Sequence, residues 1–393
     1  MKKLVIEGGR DISGTIKISG AKNSIVALIP ASILTSGVCV ITNVPDISDV
    51  RILIDMMKEL GSIITFENEV LTIDNSNVQN KKITEEYAGK LRASYYFMGS
   101  LIGKYHEAEI AYPGGCVIGS RPINYHIESF KKMGINVKNV ADHYIMKTDE
   151  LKGNEFYFDF PSVGATINLM LAAVKAEGTT IISNAAKEPH IVNVATFLNN
   201  MGAKISGAGT SEIKIVGVSK LHSCFHEVVP DYIETGTYMI LASALGDAIT
   251  IENIIPDHVE SLISKLEDVG VPMEIGVDYI NIKAPEKLKA TNVKTQVYPG
   301  FPTDLQQPFA ALLTQATGKS VINETIYENR FQNLYELNKM GATTELLTNQ
   351  KAVIVGPTKL SGKTVRATDL RAGASLVIAG LIANGTTTIL DAD

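Results

Sequence analysis

Met56-Met57-Lys58-Glu59-Leu60-Gly61 is written five times in this chain, with variations. The other copies are Phe130-Lys131-Lys132-Met133-Gly134, Phe197-Leu198-Asn199-Asn200-Met201-Gly202, Lys265-Leu266-Glu267-Asp268-Val269-Gly270 and Leu337-Asn338-Lys339-Met340-Gly341. Their glycines stand 73, 68, 68 and 71 residues apart. In each copy an amphipathic segment runs into a glycine placed for the left-handed position just past a helix end, and an extended segment follows. Val50, Leu53, Met57 and Leu60 share one helical face, and Ser48 is expected to cap that helix.

Upstream of each ending lies a helix of small residues, a glycine or polar break, and a β-branched strand. The first case runs from Asn23 to Leu34, then Gly37, then Val38 to Val44. Further cases are Gly164 to Ala176 before Thr179 to Ser183, Gly236 to Leu245 before Ala248 to Glu252, Phe309 to Thr317 before Ser320 to Glu324, and Ala372 to Ala383 before Thr386 to Leu390. Leu91-Arg92-Ala93-Ser94 opens another copy. The unit is therefore helix, strand, helix, strands in about 70 residues, and six units begin. By the spacing, the closing helix of the sixth falls about twenty residues past Asp393, so the sixth is expected to be incomplete. The strands Lys3 to Ile6 and Thr15 to Ile18 could lend it β structure. Divided three and three at the polar crossover Val228-Val229-Pro230-Asp231, the chain is expected to form one domain over 21–229 and another over 1–20 with 230–393. Small-residue helices such as Leu171-Ala172-Ala173 and Ile240-Leu241-Ala242-Ser243-Ala244 are expected inside each.

The whole-chain numbers fit this picture. With 393 residues the chain exceeds one ordinary core, and 45% hydrophobic with 20% charged residues describes a globular protein. The N-terminus meets charge and glycine too early for a signal peptide, and no apolar run reaches a membrane span, so a cytoplasmic protein is expected. A net charge of −6 argues against a nucleic-acid or membrane-surface role. Cys39, Cys116 and Cys224 are too scattered for a disulfide framework or a zinc site, and Cys39 and Cys224 read as strand residues in the core. No Walker lysine loop, GxGxxG before a helix, HExxH or GxSxG occurs, which sets aside nucleotide hydrolases, dinucleotide dehydrogenases, zinc proteases and esterases.

Chemistry concentrates at two places. Pro113-Gly114-Gly115-Cys116-Val117-Ile118-Gly119-Ser120-Arg121-Pro122 puts a thiol and a guanidinium in one loop, where the cation favours the thiolate and offers a fork to phosphate. The alternative is a tight turn with an inert cysteine. Second, Lys22, Arg92 and Arg371 stand at the entrance of the first helix of their units, where free N–H groups and the helix dipole already favour an anion. Ordinary pairing with carboxylates is the alternative there. The fifth unit puts Asp304 at that place, either a carboxylate kept ionised by neighbouring cations or a helix N-cap. Arg121 and Arg330 open the second helices of units two and five.

Ser19-Gly20-Ala21-Lys22-Asn23, Leu91-Arg92-Ala93-Ser94, the Cys116 loop, Pro161-Ser162-Val163-Gly164-Ala165-Thr166, Phe301-Pro302-Thr303-Asp304 and Glu328-Asn329-Arg330-Phe331 together resemble the UDP-N-acetylglucosamine enolpyruvyl transferases, in order and over essentially the full length. The resemblance implies an α/β fold, a two-domain inside-out α/β barrel of six helix-strand-helix-strand repeats with substrates in the cleft between the domains. It implies transfer of the enolpyruvyl group of phosphoenolpyruvate to the 3′-hydroxyl of UDP-N-acetylglucosamine through a tetrahedral ketal, with release of phosphate, as the first committed step of peptidoglycan synthesis. No metal or cofactor is implied, and the partners are the two small-molecule substrates. By the same resemblance Cys116 protonates the methylene carbon and is the thiol alkylated by fosfomycin, while Asp304 takes the proton from the sugar hydroxyl. Lys22, Arg121 and Arg371, with Arg92 and Arg330 at longer range, match the cations that hold phosphoenolpyruvate and its phosphate or organise closure. Asn23, Tyr125, Ser162, Val163 and Ile326 stand where the family holds the UDP-sugar. One departure is Tyr232, where the family shows Arg after Pro-Asp. Two other readings compete: an enolpyruvyl transferase acting on shikimate 3-phosphate, and a non-catalytic paralogue that binds the UDP-sugar.

Overall fold

Five glycines fix the register of the molecule. In the computed structural model, which describes residues 2–114 and 123–392, Gly61, Gly134, Gly202, Gly270 and Gly341 have φ of 106°, 88°, 97°, 89° and 102°. Each lies one residue past the helix C-cap, where a Cβ would be strained, and each turns the chain into the following strand or extended segment. The described residues fall into two compact units, one of residues 19–114 and 123–229, the other of residues 2–18 and 230–392. Their strands form six separate sheets of three to five strands, three sheets in each unit, with no closed barrel among the described residues.

In the unit of residues 19–229 the first helices of the repeats are Lys22–Ala31, Tyr96–Tyr105 and Val163–Ala173. All are apolar nearly all round, and Ile25, Leu28, Phe97, Leu101, Ile167 and Leu171 are fully buried. The helix Tyr96–Tyr105 packs on the other two. At Gly99 a Cβ would stand 2.5 Å from the carbonyl oxygen of Asn168, so the small residue sets how closely two of these helices meet. The second helices, Ser48–Glu59, Asn124–Lys132 and Pro189–Asn200, bury one face only. Val50, Leu53, Met57 and Leu60 form that face in the first.

Ser48 does not cap its helix. Ile47 holds the extended N-cap position without a side-chain bond, and Ser48 is the first helical residue, one place too far in for its hydroxyl to reach back to the free N–H groups. Asp49 in the first turn complements the dipole instead. The cysteines also divide: Cys39 is buried, but Cys224 is only half-buried, because its strand Cys224–Glu227 lies at the sheet edge beside Val38–Thr42.

In the other unit the helices Tyr232–Leu245, Thr303–Leu313 and Leu370–Ile382 pack pairwise on one another. All three begin earlier than the small-residue runs suggested. Pro308 lies inside Thr303–Leu313 rather than before it, and the strand that follows already starts at Ala316. Proline forfeits one intrahelical bond there. The N-terminal strands part company as well. Lys3–Glu7 pairs antiparallel with Thr386–Leu390 of the sixth repeat, whereas Ile12–Lys17 pairs parallel with Gly246–Glu252 of the fourth. That parallel partner is a recurring need: Cys224–Glu227, Glu155–Tyr157, Asn292–Lys294 and Thr364–Arg366 each supply one to the first strand of a repeat. No helix among the described residues is long and apolar enough to cross a membrane.

Candidate active site

In the unit of residues 230–392, three helix starts bring charge together. Asp304 is the second residue of Thr303–Leu313, with Pro302 at the N-cap, so Asp304 is not the cap. Its Oδ1 accepts from Arg330 Nη2 at 2.8 Å and its Oδ2 from Arg371 Nη2 at 2.9 Å. Arg371 sits in the first turn of Leu370–Ile382, where Asp369 is the N-cap and its Oδ1 accepts from the backbone N–H groups of Arg371 and Ala372. Arg330 precedes the helix Gln332–Lys339 by two residues rather than opening it, and its side chain is only 3% exposed. Its guanidinium lies 5.1 Å from the Tyr327 ring centroid.

Burial alone would push the Asp304 carboxyl up; the Arg371 and Arg330 guanidiniums outweigh it and hold the group well below the usual carboxylate range. For Arg371, burial opposes the charge, yet Asp304 and then Asp231 raise its affinity for the proton. The result is a fixed anion between two fixed cations, at the N-terminal ends of two helices.

In the unit of residues 19–229, Lys22 is the first residue of its helix and its Nζ lies 2.8 Å from Asp49 Oδ2. Asn23 follows it, half-buried. Arg92 opens a 3₁₀ turn over Arg92–Tyr95, its guanidinium 5.9 Å from the Tyr95 ring centroid. Ser162 caps Val163–Ala173, its Oγ accepting from Ala165 N at 3.3 Å. The next turn is packed hard: a Cβ at Gly164 would lie 2.9 Å from both His126 Cε1 and Tyr95 Oη. Tyr125 lies with its ring 5.5 Å from that of Phe158. Thus Arg92, Tyr95, the buried His126 and the backbone at Gly164 form one packed cluster. Ile326 belongs to the other unit, where Glu324 Oε1 accepts its backbone N–H at 2.8 Å. Cys116 and Arg121 lie outside the described residues.

The profile of the EPSP synthase family (3-phosphoshikimate 1-carboxyvinyltransferase) matches residues 6–393. The chain is 52% identical over 387 residues to UDP-N-acetylglucosamine 1-carboxyvinyltransferase 2 of Listeria monocytogenes serovar 1/2a, covering 98% of this chain and 91% of the relative. It is 50% identical over 390 residues to the protein of the same name from Bacillus anthracis, covering 99% and 91%. The chain belongs to the UDP-N-acetylglucosamine 1-carboxyvinyltransferase family. Solved structures agree on the fold. The enolpyruvyl transferase NikO from Streptomyces tendae superposes with a TM-score of 0.89 at 24% identity, over 99% of this chain and 93% of that one. EPSP synthase from Acinetobacter baumannii gives 0.77 at 19%, over 100% and 94%.

For a 1-carboxyvinyltransferase the polar residues around the site exceed those the sequence motifs pointed to. Asp49, Asp369 and His126 were missed. Burial first, then the Arg92 charge, pushes His126 down to about 3, so it stands neutral beside Asn168, whose Nδ2 is 2.8 Å from His126 Nδ1. Tyr232, at the position where the motif has Arg, begins its helix behind the Asp231 cap and lies 6.0 Å, ring to ring, from Tyr298.

Proposed function

We propose that this chain transfers the enolpyruvyl group of phosphoenolpyruvate to the 3′-hydroxyl of UDP-N-acetylglucosamine and releases phosphate, the first committed step of peptidoglycan synthesis. The observation that carries this is identity of half or more, across 98–99% of the chain, to proteins named for that acceptor and that group. The sugar oxygen adds to C2 of phosphoenolpyruvate as C3 gains a proton, giving a tetrahedral ketal. Loss of a C3 proton then restores the double bond as the C2–O bond breaks and its electron pair leaves with phosphate.

Asp304 accepts the hydroxyl proton. A carboxylate held far below its usual range is a weak base, so it takes that proton only as the attacking oxygen becomes positive in the transition state. Arg371 and Arg330 keep it ionised and aimed. Cys116 delivers the proton to C3, and Lys22, Arg92 and Arg121 balance the charge of phosphoenolpyruvate and the departing phosphate. Asn23, Tyr125, Ser162, Val163 and Ile326 hold the UDP-sugar. We place the reaction in the cytoplasm, since both substrates are anions that do not cross a lipid bilayer unaided.

The test is a product analysis. The chain is incubated with phosphoenolpyruvate and either UDP-N-acetylglucosamine or shikimate 3-phosphate, and the acceptors are examined by mass spectrometry. An enolpyruvyl adduct on the UDP-sugar alone is expected. An adduct on shikimate 3-phosphate, or sugar binding without any adduct, would overturn the assignment.

A further inference from the structure

Directly after the first strand of a repeat the chain uses one device three times. Asn43, Asn184 and Asn253 follow the strands Val38–Thr42, Thr179–Ser183 and Gly246–Glu252, with φ of 56°, 54° and 57°. Each side-chain amide donates to a carbonyl of the neighbouring segment, on Val228 at 2.8 Å, Phe158 at 2.6 Å and Ile18 at 2.7 Å. In the fifth repeat the same place, after Ala316–Asn323, holds Glu324. A carboxylate can only accept, so the latch is inverted.

Glu324 is fully buried, a costly position for a carboxylate unless donors surround it. Four do. Oε1 accepts from Thr295 Oγ1 at 2.9 Å and from the backbone N–H groups of Ile326 at 2.8 Å and Tyr327 at 3.2 Å. Oε2 accepts from Thr303 Oγ1 at 2.9 Å. That last bond has a directional consequence. Because Thr303 gives its only hydrogen to Glu324, its lone pairs face Arg330, and Arg330 Nη1 donates to Thr303 Oγ1 at 3.2 Å while Nη2 donates to Asp304 Oδ1. An amide in place of the carboxylate would point N–H groups at Thr303 and compete with Arg330.

We propose that Glu324 is a positioning residue for the transfer reaction. Through Thr303 it orders the hydrogen bonds that lock Arg330 onto Asp304, and through the Ile326 and Tyr327 amides it fixes the loop that carries the Tyr327 ring against the same guanidinium. This rests on the reading that the chain is an enolpyruvyl transferase whose base is Asp304. Asp304 is thereby aimed by a buried relay, Glu324 to Thr303 to Arg330.

The experiment compares wild type with Glu324→Gln, Thr303→Val and Thr303→Ser, reading kcat and KM for both substrates and the thermal unfolding of each variant. A misaimed base is expected to lower kcat about ten- to hundredfold in Glu324→Gln and Thr303→Val with little change in KM, since the loss falls on the transition state. Thr303→Ser keeps the hydroxyl and is expected to stay within a few-fold of wild type. Thr303→Val removes only one partly buried hydroxyl and keeps the test sound even where Glu324→Gln does not fold. Wild-type kcat in folded Thr303→Val, or a loss in Thr303→Ser as deep as in Thr303→Val, would overturn the relay while leaving the assigned reaction intact. No turnover by wild type would overturn both.

Discussion

Asparagine in place of Asp304 keeps the shape and removes the charge between two guanidiniums. Arg330, with its side chain 3% exposed, is then a buried cation without its counter-ion, while Arg371, 20% exposed, can recruit water. Breaking a buried pair from one side typically costs about 3–5 kcal/mol. The Asn carbonyl still accepts one bond, so the low end applies and Asp304→Asn is expected to destabilise its unit by about 3 kcal/mol. For a unit of this size that is a fall of about 6–12 °C in melting temperature. The pH dependence has a definite sign. Asp304 is held below its ordinary range in the folded state, so its contribution is complete above the unfolded carboxylate range and fades as pH falls through it, by about 1.4 kcal/mol for each pH unit below about 3.9. The gap between wild type and Asp304→Asn therefore narrows in acid. Scanning calorimetry at pH 7 and again near pH 3 reads both effects, and Arg330→Met added to Asp304→Asn is expected to recover part of the loss by removing the stranded charge. Equal melting of wild type and Asp304→Asn at pH 7 would refute the reasoning, because it would mean that solvent already screens the cluster.

Gly99→Ala gains about 1 kcal/mol of helix propensity but sets a Cβ 2.5 Å from a backbone oxygen that cannot yield, so net destabilisation is expected; a higher midpoint in urea would contradict the close helix contact. His126, pushed down to about 3 by burial and the Arg92 charge, makes the unfolded chain bind a proton that the folded chain refuses, so stability drops as pH falls from about 6.5, by about 1.4 kcal/mol per pH unit. His126→Gln is expected to flatten that slope by this amount; His226, lowered by burial to about 4, leaves a second contribution in place, and parallel curves for variant and wild type would refute the assignment. Cys116→Asp is expected to keep some turnover and lose sensitivity to fosfomycin, since a carboxylic acid can donate a proton but is not alkylated like a thiolate, and unchanged inactivation would remove Cys116 from its role.

The fold was legible wherever a local rule admits one answer. Only a left-handed residue suits the end of a helix that turns sharply into the following extended chain, and that made the five glycines readable at about 70-residue spacing. Helix starts were harder: Ser48 and Asp304 both look like caps, and a shift of one or two residues along the backbone decides whether the side chain reaches the free N–H groups. Strand partners from afar were only half readable. The Ile12–Lys17 strand carries no mark saying that it joins the fourth repeat rather than the sixth. In the site, cations at helix entrances stood out through their recurrence, but Asp49, the ion-pair partner of Lys22, and Asp369, the cap ahead of Arg371, did not, because an acidic residue in a first turn or at an N-cap has an ordinary structural explanation. Glu324 carried a signal that was overlooked. Aligned on the strand ends, it is a fully buried carboxylate in a column that also holds Asn43, Asn184, Asn253, Tyr112 and Asp391.

The most direct measurement is the rate of phosphate release from phosphoenolpyruvate by the 393-residue chain, with UDP-N-acetylglucosamine present or absent. Saturable release that requires the UDP-sugar, one phosphate for each sugar converted, is the expected result. Release driven by shikimate 3-phosphate instead, or none while the UDP-sugar still binds, would contradict the account.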